Sequence, residues 1–135
     1  MTTEIKPLYL SRLRETPEMQ TTCLYDLILR SRQLQPIDND LGWVIGDVIA
    51  QATQELGEFS EQVMIKEGKL PHKTPESYGV FLEAADVIIC VVDAVAKQHP
   101  NMSPAQVLSH LGWAINKKGD KWTEKVIKQH QNKFT

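Results

Sequence analysis

A chain of 135 residues with 41% hydrophobic and 24% charged side chains holds enough material for one buried core and too little for two domains. A net charge of −2 and a pI near 6.1 exclude a nucleic acid or an anionic membrane as the expected partner. Cys23 and Cys90 belong to no CxxC pair and no basic-then-apolar leader opens the sequence, so the expected setting is the cytoplasm, with both thiols free.

Residues 1–15 mix charges around Leu8-Tyr9-Leu10 without a clear period and read as an arm, either mobile or packed on a partner subunit. Thr16-Pro17-Glu18 is the first helix start: a hydroxyl to cap free amides, a proline with no amide to leave unpaired, and an acid near the positive end of the dipole. Met19, Cys23, Leu24, Leu27, Ile28 and Leu34 follow at helical spacing, and the helix is expected to end near Gln35, before Pro36. After the breakers of residues 36–42, a second helix carries the stripe Ile45, Val48, Ile49, Ala52, Leu56, Phe59 and Val63. Glu55 falls at the edge of that stripe and is expected to face the bundle interior, Glu58 to border it, and Glu61 to be turned furthest toward solvent. Thr74-Pro75-Glu76 repeats the start signal for a third helix reaching about Gln98. Ser103-Pro104-Ala105-Gln106 is a capping box for a fourth, with Val107, Leu108, Leu111, Ala114 and Ile115 as its apolar face and Gly119 closing it. A last short helix is expected from Lys121 to about His130. With no alternating strand pattern anywhere, the expected fold is all-α, a bundle of four to five helices in a single domain over residues 1–135.

Two acid pairs stand out. Glu55 and Glu58, and again Glu83 and Asp86, are spaced i, i+3, so each pair points its carboxylates to one side of a helix. The second pair sits in Val80–Ala96, a run whose sole charged residues are Glu83, Asp86 and Asp93. Acids in a helix surrounded by protein are costly unless they are paired or bound to metal. Four carboxylates brought together repel each other and need cations or protons; an all-oxygen set suits Mg²⁺, with Mn²⁺ as substitute. The plainer alternative for Glu55, Glu58 and Glu61 is an ordinary solvated helix face. The run is too short, and too acidic at its centre, for a membrane span.

The ordered pair Glu55-x-x-Glu58 and Glu83-x-x-Asp86, with Asn116-Lys117 late in the chain, resembles the MazG-like all-α nucleoside triphosphate pyrophosphatases over roughly residues 40 to 122. The resemblance implies that Glu55, Glu58, Glu83 and Asp86 hold Mg²⁺. It further implies cleavage of a nucleotide between its α- and β-phosphates to a monophosphate and pyrophosphate. Asn116 and Lys117 would then contact phosphate, with Lys118 and Lys121 as the other basic candidates in a motif that varies. It also implies a homodimer or homotetramer with active sites close to subunit contacts, which would occupy the apolar third helix. From the residues themselves, Glu61 is the candidate to accept the proton of the attacking water. Trp43 and Trp122, near expected helix ends, are the candidates to stack on a base. None of the four histidines sits in an ExxH pair, which argues against a di-iron carboxylate bundle. The competing class is a non-catalytic helical interaction and oligomerisation module with a vestigial metal site.

Overall fold

A computed structural model describes residues 24–134. They form four helices: α1 (Leu24–Asp40), α2 (Ile45–Lys66), α3 (Gly79–Gln98) and α4 (Pro104–Phe134), with no strand among the described residues. The all-α expectation therefore holds. The arm, the Thr16-Pro17-Glu18 start and Cys23 lie outside the described residues. No helix among those described is long and apolar enough to cross a membrane.

The α2–α3 pair is the largest packing unit, and it runs antiparallel. Gln62 reaches Gly79, Glu58 meets Glu83, and Gln51 and Cys90 line one cavity, so positions rising along α2 meet positions rising in the opposite order on α3. At the first of these crossings the Gln62 side-chain amide lies close over Gly79, and a Cβ there would have to push that flexible side chain aside.

A second centre joins α1, α3 and α4. Ile28, Val92, Ala96 and Val107 are buried together, with Leu24, Leu27, Val95, Met102, Leu108 and Leu111 packed around them. Arg32 clamps the α3–α4 connection by donating to the carbonyl oxygens of His99 (2.6 Å), Pro100 (3.0 Å) and Met102 (3.1 Å). The expected capping box starts α4: Ser103 N donates to Gln106 Oε1 (2.8 Å) and Gln106 N to Ser103 Oγ (3.2 Å).

Three boundaries differ from the sequence reading. Helix α1 does not stop at Gln35 but runs through Pro36 to Asp40. The last turn is tied down from outside the helix, where the Lys97 ammonium binds Asp38 (2.8 Å). Thr74-Pro75-Glu76 starts no helix; α3 begins at Gly79, after Tyr78 takes up a left-handed backbone (φ 59°). Helix α4 does not end at Gly119 and is continuous to Phe134, so the separate last helix does not exist. The lysines, glutamate and glutamines beyond Gly119 are good helix formers that carry the turn forward. The packed face of α2 is also rotated from the expected stripe. Val48 and Ile65 are buried and Ala52, Glu55 and Phe59 half-buried, while Ile49 and Leu56 are exposed.

Candidate metal and phosphate site

Glu55 is half-buried and meets an acid of α3, in keeping with its expected place toward the bundle interior. Glu55 and Glu58 rise from α2 and Glu83 from α3, and one carboxylate oxygen of each lies within 4.8 Å of the others. Glu55 Oε2 and Glu83 Oε2 are both closed off from water and have no hydrogen-bond partner. Shielded anionic oxygens without a donor are an arrangement that a cation or a proton relieves.

Electrostatics point the same way. Burial, then the charges of Glu58, Asp86 and Glu55, push the Glu83 carboxyl above its usual 4.5. For Glu55 the strongest single influence is the Gln51 amide, which donates to Oε1 (2.6 Å) and favours the anion. Burial together with Glu58 and Asp86 outweighs it, and the Glu55 carboxyl is also raised. Asp86, the fourth expected ligand, is exposed and lies outside the group of three. Its charge nonetheless acts on Glu55, Glu83 and the Cys90 thiol, which burial and then Glu55, Asp86 and Asp93 push up.

Raised carboxyls bind protons more readily in the folded than in the unfolded chain. The stability they confer is therefore full below about pH 4.5, their unfolded value, and is lost as pH rises through the higher folded values. Metal-free protein is expected to lose melting temperature between pH 4.5 and 7 relative to a Glu83→Gln variant. Millimolar Mg²⁺ should restore the wild type at pH 7, since an ion bound by the folded state alone stabilises it by mass action. Parallel melting curves for the two proteins that do not diverge with pH, and do not respond to Mg²⁺, would contradict the cluster.

The remaining expected residues are placed less tightly. Glu61 is not in the group of three; its Oε1 accepts from the Lys73 ammonium, so the role of proton acceptor is left to its other oxygen or requires Lys73 to move. Trp43 lines two cavities beside α1 and α3. Asn116, Lys117, Lys121 and Trp122 are exposed on α4, which touches α1 and α3 but not α2. Lys117 instead lies over the Trp113 ring, 4.9 Å from its centre. Within one chain, then, the acids converge and the C-terminal basic and aromatic candidates do not meet the helix that carries Glu55 and Glu58.

Gln51 and Lys73 were missed in the sequence. Gln51 was findable, since it precedes Glu55 by one helical turn on the same face; Lys73 sits in a loop with no period to place it. No family model, curated protein or solved structure matches this chain.

Proposed function

We propose that this chain is a Mg²⁺-dependent nucleotide pyrophosphohydrolase that cleaves a nucleoside triphosphate between its α- and β-phosphates. The observation that carries this reading is the convergence of Glu55, Glu58 and Glu83 from two helices, with two shielded and unpartnered carboxylate oxygens among them. That donor set fits a hard divalent ion in its all-oxygen chemistry and its excess of negative charge. Such an ion, when bound, supplies charge neutralisation for phosphate oxygens and acidifies an attacking water. The chain's own part is to fix the cluster: the Gln51 amide orients Glu55, Asp86 adds charge from the solvent side, and Glu61 stands one turn beyond Glu58 as a second-site acid held by Lys73.

The same proposal includes a cytoplasmic homodimer or homotetramer. Phe81, Leu82, Ile88, Ile89 and Val91 of α3 are 46–74% exposed in the single chain, and a second copy would both cover them and supply a route for α4 residues to reach the acids. The competing reading, a non-catalytic helical module, draws on these same apolar faces and on the separation of α4 from α2. Pyrophosphate release from a panel of nucleoside triphosphates, measured with Mg²⁺ and again with chelator, separates them. Release that depends on Mg²⁺ is the expected result; none from any nucleotide would leave the interaction module.

A further inference from the structure

One helical turn from the acids lies a cavity of about 460 Å³ among α1, α2, α3 and the α1–α2 turn. Its apolar side is formed by Trp43, Leu34 and Val48, and its polar side by the carboxylates of Asp38, Asp47 and Asp93. It adjoins the acid cluster on both helices. Gln51 lines the cavity and donates to Glu55, while Cys90 lines it four residues beyond Asp86. Four helical residues advance about 6 Å, a span suited to a sugar between a phosphate on the acids and a base in the cavity.

The lining decides what can enter. Lys97, which holds two of the lining carboxylates, is consumed: its ammonium, almost wholly buried, binds Asp38 (2.8 Å) and both oxygens of Asp93 (2.5 and 2.6 Å), and Ser31 donates to Asp93 as well (2.5 Å). With three carboxylates in its lining and one ammonium bound to two of them, the cavity repels phosphate and orients a nucleotide with its phosphates toward the metal end. Asp47 is the one of these three carboxylates that no ammonium among the described residues holds. Its Oδ2 accepts from Val44 N (2.8 Å) and caps α2, which uses one of its two oxygens. An anionic acceptor beside an indole ring accepts an N–H and rejects a carbonyl oxygen.

We propose that this cavity is the base subsite of the pyrophosphohydrolase and that Asp47 selects a base carrying an exocyclic amino group, of the cytosine or adenine type, over its oxo counterpart. The inference rests on the pyrophosphohydrolase reading, so its test has a catalytic and a binding arm. In the first, kcat/KM is compared within the matched pairs dCTP/dUTP and dATP/dITP, which differ by amino against oxo and by the adjacent ring nitrogen, an acceptor in the amino member and an N–H in the oxo member. The amino member of at least one pair should be favoured by tenfold or more. In Asp47→Asn, whose side-chain oxygen still caps α2 but whose amide can donate to a carbonyl, that ratio should fall at least fivefold, with the melting temperature as folding control. In the second arm, calorimetry with dCMP and dUMP measures the preference without turnover. Binding that prefers dCMP without any hydrolysis would keep the subsite and overturn the enzyme. Hydrolysis with ratios within twofold, a preference for the oxo member, or a ratio unchanged in Asp47→Asn would overturn the subsite and keep the enzyme. Neither binding nor turnover would overturn both.

Discussion

Glu83→Gln is expected to lower Mg²⁺-dependent pyrophosphate release by about 10²- to 10³-fold while leaving the protein folded. A metal ligand in phosphoryl chemistry is worth several kcal/mol of transition-state stabilisation, and about 1.4 kcal/mol is tenfold in rate. Glutamine keeps the shape of Glu83, but its neutral amide is a poor ligand for a hard cation. It also removes one of the charges that Glu55, Glu58 and Asp86 repel, so the fold gains where the chemistry loses. Asp86→Asn should act in the same direction through the field it exerts on both Glu55 and Glu83. A Glu83→Gln protein with near wild-type turnover at millimolar Mg²⁺ would remove this residue from the site.

The largest stability effect belongs to the second packing centre. Ile28 is fully buried and Val107 nearly so, and together with Val92 and Ala96 they tie α1, α3 and α4 into one body. Ile28→Ala should cost about 2–5 kcal/mol, the transfer free energy of the lost carbons plus the cavity left behind. Against a total stability of about 5–15 kcal/mol, that is enough to shift the urea midpoint strongly with little change in slope. Phe81→Ala, at a position 74% exposed in the single chain, offers the contrast: its cost should be small in a monomer and large where a second copy covers α3. An Ile28→Ala cost below about 1 kcal/mol would mean that these three helices are not held together by this cluster.

Much of this architecture was legible because it rests on local rules. The Ser103–Gln106 box is written in four residues, and the acid pairs follow from helical spacing alone. What failed to read locally was decided elsewhere in the fold. Pro36 should end a helix, yet a lysine sixty-one residues away holds the turn after it through Asp38. Of the stripe drawn on α2, Val48, Ala52 and Phe59 lie on the packed side together with Glu55, whereas Ile49 and Leu56 are exposed. Periodicity finds an apolar stripe but cannot say which edge of it meets a neighbour in the same chain and which is left for another surface. The expectation that α3 is surrounded by protein fails in one chain for the related reason that its outward apolar residues have no cover there.

The most direct measurement is to resolve the products of a single triphosphate. With dCTP, Mg²⁺ and the full chain, ³¹P spectra should show the resonances of dCMP and pyrophosphate growing together, with no dCDP, and chelator or Glu83→Gln should suppress both. Growth of dCDP with inorganic phosphate would place the cut at the wrong bond. Spectra unchanged at millimolar Mg²⁺, for dCTP and every other common triphosphate, would contradict the reading of Glu55, Glu58 and Glu83 as a phosphate-cleaving metal site.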